Sequence, residues 1–198
     1  MLLGLDFDNT IICYDRLFHK IALGKGLIPS SLPAEKSVVR DYLRIQGREN
    51  EWTLIQGEVY GKRITEATPY EGVFEALKIM QNNGVRIVLV SHKTRTPFIG
   101  EPLDLRQAAK QWLTANNFFE HQGLNWTMNN VFFELTKEDK VSRICELGCT
   151  HYVDDLPEIL EMLPETISRI HFLPQLKNRI KYPWTVMRSW NELPSLLQ

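Results

Sequence analysis

The chain has 198 residues, of which 43% are hydrophobic and 24% charged, a composition typical of a globular protein with one main domain. Its 23 basic and 24 acidic residues nearly cancel, which argues against a nucleic-acid partner and against binding to anionic membranes. The three cysteines are an odd number and argue against a disulfide framework. Because no apolar run approaches the ~20 residues of a membrane span and no signal-peptide pattern follows Met1, we expect a cytoplasmic protein.

Short runs rich in strand-forming residues recur along the chain and alternate with helical patterns. The predicted strands are 2–7, 86–91, 130–135, 150–155, 169–174 and 184–187, and the main helices between them are 72–83, 103–113, 137–147 and 156–164. The strand runs are apolar without alternation, as in strands covered on both faces. This order predicts an α/β fold, a Rossmann-like three-layer sandwich with a mainly parallel sheet.

The stretch between the first two predicted strands is far longer than the crossover of about a dozen residues that parallel strands need. It contains apolar residues at helical spacing, among them Val39 and Leu43, and again Trp52, Ile55 and Val59. We interpret residues 13–69 as a small helical cap inserted after the first strand. Residues 1–12 and 70–198 then form the core.

Polar side chains follow the predicted strands at the points where they end. The first strand leads into LDFDNT, in which Asp6 and Asp8 point to the same side and repel each other. Other polar residues at strand ends are Thr10, Ser91, Asp154 and Asp155. Ligands of open α/β sheets bind beyond the carboxyl ends of the strands, so these residues are expected to share one site.

Carboxylates gathered at one edge need a cation, and Mg²⁺ prefers oxygen ligands. A metal beside an aspartate suits phosphoryl transfer, in which the carboxylate attacks phosphorus and a second carboxylate exchanges protons. The hydroxyl groups of Thr10 and Ser91 and the ammonium group of Lys140 would hold the phosphoryl oxygens. The partner expected from this chemistry is a small phosphorylated metabolite.

Four segments in order resemble the motifs of the haloacid dehalogenase-like hydrolase superfamily, over nearly the whole chain. They are DFDNT at 6–10, VLVS at 88–91, the lysine Lys140 and VDD at 153–155. The resemblance implies a phosphatase-type hydrolase with a small helical cap. Dehalogenating members of the family lack the second aspartate of the first motif, which is Asp8 in this chain.

The resemblance also assigns roles to single residues. It implies that Asp6 is the nucleophile and a metal ligand, and that Asp8 is the general acid and base and offers its backbone carbonyl to Mg²⁺. Thr10, Ser91 and Lys140 would bind the phosphoryl group, with Lys137 as an alternative to Lys140. Asp155 is favoured as the metal ligand of the last motif with Asp154 in support, and Glu158 either contacts the water ligands of the metal or only favours its helix start.

After Ser91, the segment HKTRTP contributes His92, Lys93 and Arg95, which either bind an anionic substrate or belong to a solvated loop. We therefore expect a Mg²⁺-dependent phosphohydrolase that acts on a small phosphomonoester, such as a sugar phosphate, through an aspartyl-phosphate intermediate. Two alternatives stay open. One is a phosphosugar mutase, and the other is a non-catalytic relative that binds phosphorylated ligands or a protein partner.

Overall fold

The apolar runs form a six-stranded sheet in the computed structural model, which describes residues 1–175 and 182–197. The strands in chain order are β1 (Leu2–Leu5), β2 (Ile12–Cys13), β3 (Thr68–Pro69), β4 (Arg86–His92), β5 (Val131–Glu134), β6 (His151–Asp154), β7 (Ser168–Phe172) and β8 (Thr185–Met187). The large sheet has the order β5-β4-β1-β6-β7-β8, and β2 and β3 form a separate two-stranded sheet. Each neighbouring pair in the large sheet is parallel, so the predicted α/β fold is confirmed.

The register aligns the carboxyl ends of the central strands. In β1, Leu5 lies opposite Leu89 of β4 and Val153 of β6. The next residue, Asp6, continues this alignment, since its backbone N–H donates to the Val153 carbonyl oxygen over 2.9 Å. The polar residues that follow β1, β4 and β6 therefore emerge at the same edge of the sheet.

The helices in chain order are α1 (Asp15–Gly24), α2 (Lys36–Ile45), α3 (Glu49–Gly57), α4 (Val73–Asn82), α5 (Leu105–Ala115), α6 (Lys137–Glu146), α7 (Pro157–Met162) and α8 (Leu193–Leu196). Helix α4 contacts β4 and α8, whereas α6 and α7 contact each other and the strands from β4 to β7. On the α6 and α7 side, an apolar core joins residues of the strands, such as Val88 and Tyr152, to Ile144 and Leu160.

Helix α6 begins and ends where local signals in the sequence indicate. The Thr136 side chain accepts a hydrogen bond from the Asp139 backbone N–H over 3.0 Å, which caps the first turn. At the other end, Gly148 adopts a φ of 73°, a left-handed conformation that glycine reaches without strain. The cap fixes the first turn of α6 and with it the position of Lys140.

Contacts within the chain divide it into two compact units. The first unit comprises Met1–Ile12, Pro69–Lys93 and Asn117–Gln198 and contains the six-stranded sheet, while the second comprises Cys13–Thr68 and Thr94–Asn116. Residues 176–181 and 198, which the prediction assigned to the core, lie outside the described residues. The predicted cap, 13–69, corresponds to one of the two segments of the second unit, and its role as a cap stays a prediction.

The segment Thr94–Asn116, which the sequence assigned to the core, clusters with the second unit. The reason is the apolar stripe of α5, which packs on the π-helical turn Glu58–Lys62 and the 3₁₀ turn Ile64–Glu66. The buried indole of Trp112 also donates a hydrogen bond of 2.8 Å to the Ala67 carbonyl oxygen. These contacts join the two segments of the second unit.

Candidate active site

Asp6, directly after β1, is the centre of a buried hydrogen-bond network. Its side chain is nearly inaccessible, and one carboxylate oxygen accepts hydrogen bonds from Ser91 Oγ over 2.8 Å and from Lys140 Nζ over 2.7 Å. The other oxygen accepts from Thr10 Oγ1 over 3.2 Å. Three predicted site residues, Thr10, Ser91 and Lys140, therefore meet at the one carboxylate that the sequence predicts as nucleophile.

The chain turns sharply after Asp6, and this turn brings Thr10 back to it. Asn9 has a φ of 59°, a left-handed conformation that asparagine tolerates better than most residues. The Phe7 carbonyl oxygen accepts from the Ile11 backbone N–H over 3.1 Å, which closes the turn. The turn is anchored from the far end of the chain, where the buried Trp190 indole donates to the Thr10 carbonyl oxygen over 3.0 Å.

Lys140 contacts two carboxylates and is buried with them. Its Nζ lies 2.7 Å from Asp6 and 2.6 Å from Asp154. Burial lowers the pKa of Lys140, but the two carboxylates raise it more, so that the pKa stays well above its ordinary value and the ammonium group is charged. Lys137, the alternative, is more exposed and pairs with Glu158 over 2.7 Å. Of the two lysines, Lys140 is the one that contacts the buried carboxylates.

Three carboxylates of the first unit lie close enough to share a metal ion. Single oxygens of Asp6, Asp154 and Asp155 lie within 4.8 Å of one another. Burial and repulsion from Asp6 raise the pKa of Asp154 to about 7 although Lys140 lowers it, and a cation bound to this cluster would favour the ionised form. All the donors are hard oxygens, which Mg²⁺ prefers. The residues present therefore fit a magnesium ion.

The backbone of Asp155 contacts His171, a pair that the sequence did not predict. The buried side chain of His171 places Nε2 3.1 Å from the Asp155 backbone carbonyl oxygen, a distance at which a protonated Nε2 donates a hydrogen bond. Burial lowers the pKa of His171, which favours the neutral imidazole. His171 lies in β7, opposite Asp154 in the register of the sheet.

Asp8, the second aspartate of the turn, pairs with Lys93. Nζ of Lys93 lies 2.9 Å and 2.8 Å from the two carboxylate oxygens of Asp8. Lys93 is only 4% exposed, so it does not belong to a solvated loop, one of the two interpretations of this segment.

The two residues predicted beside Lys93 have different surroundings. His92 is half-buried at the end of β4, and burial followed by repulsion from Lys140 lowers its pKa. Arg95 belongs to the second unit, where its backbone carbonyl accepts from the Leu105 N–H over 2.8 Å. A substrate contact for either residue stays a prediction.

Sequence reasoning missed the contacts of Lys93, His171 and Trp190 for different reasons. Lys93 has a detectable signal, because it follows Ser91 by two positions and its backbone N–H continues the pairing with β5 by donating to the Glu134 carbonyl over 2.9 Å. Extending β4 by two residues would have predicted Lys93 on the same side as Ser91. His171 and Trp190 contact residues far away in the chain, and no local pattern indicates those pairs.

Among the helices of residues 1–175 and 182–197, none has both the length and the apolar character that crossing a membrane requires. No family model matches the chain. A protein of Oceanobacillus iheyensis named "Putative nucleotidase" is 23% identical over 198 residues, which cover 97% of this chain and 96% of the relative. A protein of Bacillus cereus with the same name is 22% identical over 173 residues, covering 82% of this chain and 80% of the relative.

Solved structures of similar fold cover almost the whole chain. A phosphatase of the haloacid dehalogenase (HAD) superfamily from Thermococcus onnurineus has a TM-score of 0.56 at 16% identity, covering 99% of this chain and 97% of that one. A magnesium-bound "putative HAD-hydrolase" of Bacillus subtilis has a TM-score of 0.54 at 12% identity, with 99% and 97% covered. A dehalogenase in an intermediate complex has a TM-score of 0.60 at 11% identity, with 98% and 96% covered. These likenesses confirm the Rossmann-like α/β fold that the order of strands and helices in the sequence predicted.

Proposed function

We propose that this chain, which has the fold of the haloacid dehalogenase-like hydrolases, is a Mg²⁺-dependent phosphohydrolase that acts on a small phosphomonoester through an aspartyl-phosphate at Asp6. The observation that carries the proposal is the network at the edge of the sheet. There a buried aspartate is surrounded by Ser91, Thr10 and Lys140, all of which donate to it. The same groups suit the charge of a phosphoryl group, because hydroxyl and ammonium donors bind its oxygens.

In the first proposed step, a carboxylate oxygen of Asp6 attacks phosphorus while the bond from phosphorus to the ester oxygen breaks. The leaving oxygen takes a proton from Asp8. In the second step, water attacks the phosphorus of the aspartyl-phosphate and gives a proton back to Asp8, and Asp6 leaves as a carboxylate. Lys140 offsets negative charge on Asp6 and on the phosphoryl oxygens throughout.

Asp6, Asp154 and Asp155, with the backbone carbonyl of Asp8, would hold the magnesium ion. A bound Mg²⁺ offsets the negative charge of the phosphoryl oxygens and helps to orient the group for attack. The clustering of the three carboxylates supports this assignment, as does the magnesium bound to the Bacillus subtilis neighbour.

The fold alone does not separate a phosphatase from a dehalogenase, since neighbours of both kinds are similar to this chain. Asp8 favours the phosphatase, because the leaving oxygen of a phosphate ester needs a proton donor. The names of the two relatives favour nucleoside monophosphates as substrates, beside the sugar phosphates predicted from the sequence.

The test is release of inorganic phosphate from aryl, nucleoside and sugar phosphates, with Mg²⁺ or with a chelator. We expect turnover only with Mg²⁺, and loss of turnover in Asp6→Asn. Asp41→Asn, which changes an exposed aspartate paired with Arg40, is the matched control and should retain full activity. Folded wild-type protein that binds Mg²⁺ and hydrolyses no ester would contradict the proposal and favour the non-catalytic alternative. Transfer of phosphate between positions of a sugar without release would favour the mutase.

A further inference from the structure

Lys93 is a buried cation in the first unit, and its ammonium group pairs with the carboxylate of Asp8. The side chain is 3% exposed, and Nζ lies 5.3 Å from the centre of the Phe7 ring. Both oxygens of Asp8 lie within 2.9 Å of Nζ. A lysine with this much burial has little conformational freedom, so it fixes the position of whatever it binds.

The side chain of Asp8 is more exposed than that of Lys93. Its side chain is 22% exposed, and it stands in the turn just before Asn9, the residue in the left-handed conformation. A partly exposed carboxylate on a turn can adopt several rotamers, and an ammonium group that contacts both of its oxygens favours one of them. The ion pair with Lys93 therefore restricts the orientation of the Asp8 carboxyl group.

We propose that Lys93 is a positioning residue for proton transfer. It holds the carboxyl group of Asp8 in the orientation in which Asp8 gives a proton to the leaving oxygen and later accepts one from water. This inference rests on the function proposed above and changes the prediction for Lys93 from a substrate contact to a support of the general acid and base.

Stability alone does not explain the ion pair. Removing two charges from water costs more than their attraction returns unless the geometry is good, and apolar residues of similar size stabilise such positions equally well or better. A role in positioning explains the charge, because a displacement of about 1 Å in a reacting group lowers the rate by about 100-fold.

The first measurement is the steady-state kinetics of Lys93→Met with a phosphate ester that wild type hydrolyses. We expect kcat to fall about 10-fold to 100-fold and KM to change less than about threefold, because Lys93 acts through Asp8 and not on the substrate. Lys93→Arg, which keeps a charged donor, should recover part of the lost kcat. Lys20→Met removes a lysine from an exposed ion pair and should leave both constants unchanged.

The second measurement varies the leaving group. An alkyl phosphate needs a proton on its leaving oxygen, whereas a nitroaryl phosphate leaves readily as the anion. Lys93→Met should therefore lower kcat more for the alkyl ester than for the nitroaryl ester. A purely structural loss would lower both to the same extent.

The third measurement is a double-mutant cycle with Asp8→Asn. If Lys93 acts through Asp8, adding Lys93→Met to Asp8→Asn lowers kcat little further. Additive losses in the cycle, a rise in KM at unchanged kcat, or equal losses for the two esters would each overturn the inference. If Lys93→Met does not fold, the double-mutant cycle and the ester comparison are measured with Lys93→Gln. This variant removes the charge and keeps a hydrogen-bond donor.

The two proposals fail in distinguishable ways. Wild-type protein without turnover contradicts the proposed function, and the inference falls with it. If wild-type protein turns over and Lys93→Met loses the same fraction of kcat on both esters, only the inference is contradicted.

Discussion

Each unit contains a cluster of three charged side chains in which one residue pairs with two others. The two clusters differ in their exposure to solvent. In the first unit, the Lys140 ammonium lies between Asp6 and Asp154, and the three side chains are at most 6% exposed. In the second unit, Glu66 pairs with Lys20 over 2.8 Å and with Arg63 over 2.6 Å, and the Lys20 side chain is 66% exposed. The distances are nearly equal, so the difference between the clusters is burial.

Burial changes what an ion pair contributes to the protein. An exposed pair is screened by water and salt and contributes little to folding, whereas a buried pair loses hydration that its Coulomb attraction only partly returns. In the first unit, the pairs of Lys140 with Asp6 and Asp154 lose hydration in this way, and they lie at the edge of the sheet where the polar strand ends meet. The comparison supports the proposed chemical role of the buried cluster, whereas the exposed cluster has the character of an ordinary surface feature.

The largest expected effect on stability comes from Lys140→Met. It leaves the Asp6 and Asp154 carboxylates buried without their shared cation, and we expect a loss of about 3–5 kcal/mol in the free energy of unfolding. Urea unfolding without Mg²⁺ measures it. An unchanged unfolding midpoint would mean that the buried cluster is no more important to the fold than the exposed one.

Replacing all members of the buried cluster sharpens the comparison. The variant with Lys140→Met, Asp6→Leu and Asp154→Leu carries no uncompensated charge in the cluster, so its stability should recover most of the loss of the single variant or exceed that of wild type by about 1–4 kcal/mol. Phosphatase activity should be absent. A triple variant less stable than Lys140→Met would show that the cluster stabilises the fold.

A smaller effect is expected from Trp190→Phe, which removes the indole hydrogen bond to the Thr10 carbonyl and keeps most of the buried ring. The loss should be about 1 kcal/mol, measured by urea unfolding. Because this bond anchors the turn that carries Asp8 and Thr10, kcat should fall as well. Loss of stability with unchanged kcat would show that the Trp190 hydrogen bond stabilises the fold without affecting the active site.

The smallest expected effect is a pH-dependent change in stability that comes from Glu66, which pairs with Lys20 and Arg63. Hydrogen bonds from Arg63 and then Lys20 lower the pKa of Glu66 from 4.5 to about 2. A lowered pKa in the folded state means that Glu66 stabilises the protein above its ordinary pKa and loses this effect as the pH falls from about 4.5 to about 2. The melting temperatures of wild type and Glu66→Gln should differ slightly at neutral pH and converge near pH 2. A difference that grows on acidification would contradict this sign.

The strand ends were predictable from the sequence because apolar runs and the residues that follow them are local signals. Asp6, Ser91 and Asp154 each follow or end such a run, and a parallel sheet brings the ends together. Lys140 was predictable as a motif residue, although only its burial in the structure separates it from Lys137.

The remainder depends on contacts between distant segments. Trp190 lies 180 residues from Thr10 in the chain, and Lys93 lies 85 from Asp8. The position of α5 in the second unit depends in the same way on Trp112 and Ala67. No pattern in a short window encodes such pairs, which is why they appear only once the chain is folded.

The central claim is that Asp6 itself takes the phosphoryl group, and acid quenching during turnover in isotopically labelled water tests it most directly. Wild-type protein is allowed multiple turnovers of the best ester in water enriched in heavy oxygen, then digested, and the peptide carrying Asp6 is weighed by mass spectrometry. The account predicts that acid quenching during turnover traps phosphate on the Asp6 peptide. It also predicts that the released phosphate carries heavy oxygen and that the Asp6 carboxylate stays unlabelled, because water attacks the phosphorus of the aspartyl-phosphate and not its carboxyl carbon. Rapid turnover with labelled phosphate and no phosphate trapped on Asp6, in wild type or in a slowed Asp8→Asn variant, would contradict it and show that water attacks the substrate directly.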